Sequence, residues 1–205
     1  MKKILGLVVA GVGFSFAILS LTSCAHNETK YVVQNLDPVR LYESYETKSM
    51  DLKALSKCIS APTINIISVE TREEDYLFYK ERAHKFFITP KEFMDSWGGV
   101  ADYIRDAFEK SNVKVNKNSP KVIQVSTKEV KGIPSRVRGW VPSFVFIDGA
   151  NLQLEVSVPE RKYVKIFSVE ENSSHGLHSA LANAVHVATM KILEDSVIQD
   201  YILCK

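Results

Sequence analysis

The chain lacks the short motifs that announce common chemistries. There is no His-Glu-x-x-His for a zinc hydrolase and no Gly-x-Ser-x-Gly nucleophile elbow. There is no glycine loop to cradle phosphate and no Cys-x-x-Cys pair. An excess of one charge is missing too: 26 Lys and Arg stand against 24 Asp and Glu. That balance provides no broad basic face for a nucleic-acid backbone. Internal repeats, low-complexity tracts and a domain linker are also absent. The adjacent acids Glu73-Glu74-Asp75 and Glu170-Glu171 read as solvated turns. No catalytic constellation, metal or cofactor is expected from these residues, so the chain is read as a non-enzyme.

What is present begins at the N-terminus. Met1-Lys2-Lys3 is followed by an apolar run from Ile4 to Leu21, the form of a secretion signal. A retained transmembrane helix is the competing reading of such a run. The tetrad Leu21-Thr22-Ser23-Cys24 decides between them. Small residues at Thr22 and Ser23 admit a peptidase, and the Cys24 thiol accepts a diacylglycerol: this is a bacterial lipobox. Residues 1–23 are therefore expected to be a signal peptide, and 24–61 a lipidated cysteine with a flexible tether. Residues 62–205 are expected to form a single domain, long enough to bury its own core. Each buried acyl methylene contributes about 0.8 kcal/mol, so two or more chains anchor stably. Ala25, rather than Asp, follows the lipidated residue, which by analogy with enterobacterial sorting favours the periplasm-facing outer membrane, the inner membrane and the cell surface being the alternatives. With Lys2 and Lys3 removed, 24 basic residues remain against 24 acidic ones. Of the 3 cysteines, Cys58 and Cys204 remain besides the anchor. In an oxidising compartment they form either a disulfide or two separate thiols.

Along the domain, Thr63 to Val69 reads as a first strand, and Tyr76–Tyr79 and Ala83–Ile88 as two short ones. Thr89-Pro90-Lys91-Glu92 has the form of a capping box with proline at the first helical position. In the helix that follows, Phe93, Trp97, Val100, Ala101, Ile104 and Phe108 are expected on one apolar face, with Gly98-Gly99 kinking or splitting it. After a turn at Asn116–Pro120, Val122–Val130 reads as a strand and Lys131–Pro142 as a basic loop. Phe144–Ile147 and Leu152–Val158 predict a hairpin about Asp148-Gly149. Tyr163–Val169 follows as another strand across a Pro159–Lys162 turn. Ser173 or Ser174 is expected to cap a long last helix with a stripe of Leu177, Leu181, Ala184, Val185, Ala188 and Ile192, carried on by Ile198 and Ile202. The expected class is α+β: a mostly antiparallel sheet with two long helices packed on one face, after the lipidated tether.

Two groups of residues merit a site reading. His175, His178 and His186 share one side of an ideal helix, but His175 and His186 lie about 16 Å apart along its axis, which excludes three-way chelation. Lys131, Arg136 and Arg138 precede Trp140, Phe144 and Phe146, and basic residues beside aromatics suit a partner or membrane contact. Arg136, Arg138, Trp140 and Phe144 are the candidate contact residues. The alternative is a plain loop leading into a core strand.

The chain resembles the small periplasmic lipoproteins of the YajG and PqiC type. The resemblance rests on the lipobox at Cys24 and on Phe87-Ile88-Thr89-Pro90 ahead of a helix ending near Asn112-Val113-Lys114-Val115. It rests also on Ala182-Asn183-Ala184-Val185 with Asp200-Tyr201-Ile202. It implies an accessory lipoprotein of a lipid-transport or other envelope complex, a protein partner and a phospholipid, with no catalytic residues. The competing expectation is a structural or assembly factor for an envelope complex or surface appendage; an envelope hydrolase is the third.

Overall fold

The computed structural model describes residues 28–31, 62–81, 84–134, 147–173 and 176–203. Its strands are β1 (Glu28–Tyr31), β2 (Thr63–Ser68), β3 (Tyr76–Glu81), β4 (His84–Ile88), β5 (Lys114–Val115), β6 (Val122–Pro134), β7 (Ile147–Val158) and β8 (Tyr163–Asn172). Its α-helices are α1 (Pro90–Asp95), α2 (Val100–Lys110), α3 (Leu177–Glu194) and α4 (Ser196–Ile202).

The main sheet has five strands in the order β5-β2-β6-β7-β8. Strands β5, β2 and β6 run parallel, while β6, β7 and β8 are antiparallel. The sheet is therefore mixed, and the expectation of a mostly antiparallel sheet is corrected. Strands close in sequence were taken as neighbours in space, but β2 and β6 are joined by a crossover. A parallel pair needs such a connection of a dozen or more residues. Here β3, β4, α1 and α2 lie inside it and add a three-stranded sheet ordered β1-β4-β3. The small sheet is tied to the main one where the Tyr76 hydroxyl donates to the Thr127 carbonyl at 2.6 Å.

Two long helices are not found either; both expected helices are divided. The first breaks at Ser96–Gly99 into α1 and α2. Gly98 has φ 75°, and a Cβ on Gly99 would lie 2.9 Å from the carbonyl oxygens of Phe93, Met94 and Ser96. Only glycine permits that fold-back. The break uncouples the two helical phases, so Trp97, expected on the apolar face, is 84% exposed. Thr89 holds the cap position of α1 but its side chain makes no capping bond, so the capping box is not formed. The last helix breaks at Asp195, whose carboxylate accepts from the Val197 and Ile198 amides and starts α4. Gly176, at φ 89°, precedes α3 in place of a serine cap. Lys121 Nζ donates to the carbonyls of Tyr201 and Ile202, closing the far end of α4 against β6.

The expected hairpin at Asp148-Gly149 is also corrected. Both residues lie inside β7, where Gly149 pairs with Ile133 on one side and Asn172 on the other. A Cβ there would collide with Asn172 Oδ1 and lie 2.8 Å from Ile133 Cβ. Glycine serves close approach of strands, not a turn. The turn expected at Pro159–Lys162 is present: a 3₁₀ segment at Pro159–Arg161 ends on Lys162 in the left-handed region and joins β7 to β8. Strand β6 also outruns its expected end, taking Lys131–Pro134 from the predicted loop.

Alternation along β7 sends Ala150, Leu152, Leu154, Val156 and Val158 into the core. Helix α2 packs against β2 and β5, and α3 against β7 and β8. The two helices meet where the Tyr103 hydroxyl bonds His186 Nδ1 at 2.8 Å. Tyr103, Phe78, Phe93 and Phe108 are among the largest fully buried side chains. Burying each aliphatic or phenyl side chain of this kind contributes about 1.5–3 kcal/mol. No helix among the described residues is long and apolar enough to cross a membrane.

Candidate functional site at a sheet edge

The two edges of the main sheet differ. At one, β5 is only Lys114–Val115, and the longer β2 behind it is covered by a side chain. Arg105 Nε donates to the Ile66 carbonyl at 3.1 Å while its other nitrogen bonds Asp102 Oδ1 at 2.6 Å. A short edge strand and a charged plug are ordinary ways of stopping a sheet from growing. A cavity of about 560 Å³ beside this plug is lined by Asn65, Ile67, Asp102, Arg105 and Val115 among others.

At the other edge, β8 pairs with β7 in an unbroken register from Tyr163 to Asn172, and no described strand pairs with its outer side. The Ser168 carbonyl accepts from Lys191 Nζ at 3.0 Å and so points away from β7. In an antiparallel ladder, alternate residues turn both backbone groups the same way. Val164, Ile166, Ser168 and Glu170 therefore present their amides and carbonyls outward. Val164 and Ile166 are 61% and 52% exposed. A straight, bulge-free edge with β-branched apolar side chains is a template for another strand.

Behind this edge the side chains of Tyr163 and Lys165 turn toward the helices. Tyr163 Oη donates to Asp195 Oδ2 at 2.8 Å and Lys165 Nζ bonds the same oxygen at 2.7 Å. Burial pushes the Asp195 carboxyl up, but hydrogen bonds from Lys165, Tyr163 and the Ile198 amide, with the Lys165 charge, outweigh it and hold it below its ordinary value. Tyr163 is raised, first by burial and then by the hydrogen bond to Asp195 and its charge. An open groove of about 510 Å³ runs here between Lys165–Ser168 of β8 and Lys191, Glu194, Asp195 and Ser196. The arrangement offers backbone pairing, an apolar strip and mixed charge: the chemistry of peptide recognition.

Cys24, Cys58, Cys204, Arg136, Arg138, Trp140 and Phe144 lie outside the described residues, as does His175. His178 is exposed at the start of α3, whereas His186 is buried against Tyr103, and burial lowers its basicity. Among the described residues, no group of three or more His, Cys, Asp or Glu side chains is placed to hold a metal. The edge at Val164 and Ile166 was missed by sequence reasoning, although a signal exists. In Tyr163–Val169 apolar residues occupy both alternating sets, Tyr163, Phe167 and Val169 on one face and Val164 and Ile166 on the other. A strand apolar on both faces but covered on one marks an interface.

No family model matches the chain, and no curated protein matches it. Among solved structures it is similar to a Xanthomonas campestris protein, XCC0632, described by family model DUF330. The two are 15% identical with a TM-score of 0.37, over 71% of this chain and 86% of that one. A likeness at that level bears on neither fold nor function.

Proposed function

We propose that the chain is a membrane-anchored, non-enzymatic accessory lipoprotein of the bacterial envelope that acts by binding a lipid-transport or other envelope complex. The observation that carries this reading is the lipobox Leu21-Thr22-Ser23-Cys24, set behind an apolar signal and ahead of a polar tether. An acylated Cys24 holds the domain at a leaflet, and Ala25 favours the periplasmic face of the outer membrane. The resemblance to YajG and PqiC lipoproteins supports the transport role. The exposed β8 edge supports a role in binding.

The test is crosslinking in intact cells, purification through a C-terminal tag, and mass spectrometry of proteins and lipids. Transport predicts an ABC or MCE-domain component together with phospholipid. A scaffold or appendage complex without lipid would replace transport with assembly. Cys24→Ser should release the chain from the membrane fraction; full retention would refute the anchor.

A further inference from the structure

The geometry points to a second copy of this chain as the occupant of the β8 edge, giving a two-fold dimer in which the sheet continues from one subunit into the other. The argument starts from which backbone groups are free. Val164, Ile166 and Ser168 turn theirs outward, and no bulge interrupts the ladder behind them. A two-fold axis normal to the sheet keeps each face on its own side, so residues of equal parity must pair. This leaves a small set of registers, and charge chooses among them.

With the axis on Ile166, its amide and carbonyl bond those of Ile166 of the partner subunit. Val164 then exchanges bonds with Ser168 of the partner subunit, and Ser168 with the partner's Val164. The carbonyl of Ser168 has two lone pairs, so Lys191 need not leave it. Exposed Val164 and Ile166 form one apolar strip across the axis. At its ends Lys162, the exposed turn residue just before the strand, comes beside Glu170 of the partner subunit, so opposite charges meet on both sides of the axis. Moving the axis one residue, to Lys165, sets this lysine against its own copy. Moving it to Phe167 sets Val164 against the partner's Glu170. Of these three registers, the one about Ile166 is complementary in both shape and charge. The opposite edge offers no such run of outward backbone groups, since its edge strand β5 is only Lys114–Val115.

The inference holds whether or not an envelope partner is found, and its test is separate. Ile166→Cys is introduced into the full-length chain with Cys58→Ser and Cys204→Ser, and intact cells are treated with a mild oxidant. Residues paired directly across antiparallel strands have Cα atoms about 5.5 Å apart, within reach of a disulfide. Val164 is roughly 14 Å along the strand from its own copy, beyond that reach. A disulfide dimer is therefore expected from Ile166→Cys, little from Val164→Cys or Ser168→Cys alone, and dimer again when those two variants are co-expressed. Glu170→Lys should reduce the Ile166→Cys yield severalfold, and adding Lys162→Glu should restore it. Lys162, Val164, Ile166, Ser168 and Glu170 are exposed, and every comparison is made in the same Cys58→Ser, Cys204→Ser background, whose urea unfolding is measured against the wild type first. Absence of the Ile166→Cys dimer, equal crosslinking by Val164→Cys alone, or capture of a different protein in place of a second copy would overturn the proposal.

Discussion

Replacing Asp195 with alanine removes an acceptor shared by four donors. Its carboxylate accepts from the Val197 and Ile198 amides at 3.1 Å each, from Tyr163 Oη at 2.8 Å and from Lys165 Nζ at 2.7 Å. The residue itself is 8% exposed. Loss of an N-cap costs about 1 kcal/mol. Leaving the half-buried Tyr163 hydroxyl without its acceptor adds about 1 kcal/mol, the lower end for such groups. The Lys165 partner is half exposed, and its share is about 0–1 kcal/mol. The expected loss is about 2–3 kcal/mol, a fall of about 1–2 M in the urea midpoint for a domain of this size. Asn caps helices as well as Asp, so Asp195→Asn should lose only about 1 kcal/mol. The assay is urea unfolding of both variants and the wild type, with the slope required to stay constant. A change below about 0.5 kcal/mol in Asp195→Ala, or equal losses in both variants, would refute the shared-acceptor reasoning. The pH dependence gives a second readout. Because the folded-state pKa is depressed, the carboxylate's stabilisation is present above the unfolded value of about 3.9 and lost as pH falls through the folded one. Asp195→Asn should flatten the acid limb of stability below about pH 4.

Other outcomes follow from the same geometry. Burial lowers the pKa of His186, so the unfolded chain binds its proton first and stability should fall as pH drops below about 6.5; thermal unfolding from pH 7 to 5 checks this, and His186→Gln should reduce the slope. The raised Tyr163 pKa carries the opposite sign: its contribution is intact below about 10 and is lost at higher pH, a loss that Tyr163→Phe should remove from the alkaline limb. Gly149→Ala forces a Cβ to within 2.8 Å of Ile133 Cβ and should destabilise by about 1–3 kcal/mol in chemical unfolding. Trp97→Ser should change stability by less than about 0.5 kcal/mol; a larger loss would place Trp97 in the core after all.

Local signals along the chain read well where one residue's neighbours in sequence decide its state. Apolar alternation located β2 and the Leu152–Val158 part of β7, and proline at position 90 located the start of α1. The same reasoning failed at Asp148-Gly149, because a glycine needed for strand approach and one needed for a turn look alike until the flanking strands are known. It failed at Trp97 because two backbone conformations at Gly98-Gly99 reset the helical phase. It failed at Asp195, where an acid inside an apolar helix pattern proved to be the cap of a separate helix. The contact residues Arg136, Arg138, Trp140 and Phe144 lie outside the described residues, whereas the exposed edge emerged at Val164 and Ile166.

By itself the sequence determined the lipobox, the near-neutral charge, and the existence of alternating strands and apolar helix faces, since each depends on residue chemistry or on periods of two and about 3.6 residues. Tertiary structure alone decided which strands are neighbours. The parallel pairing of β2 with β6 crosses more than fifty residues of chain and leaves no local mark. It also decided which edge is plugged by Arg105 and which, at β8, is left with backbone groups turned outward. An edge is a property of a strand's missing neighbour: apolar residues on both faces of Tyr163–Val169 mark surface to be covered, but only the tertiary structure shows which side is left open.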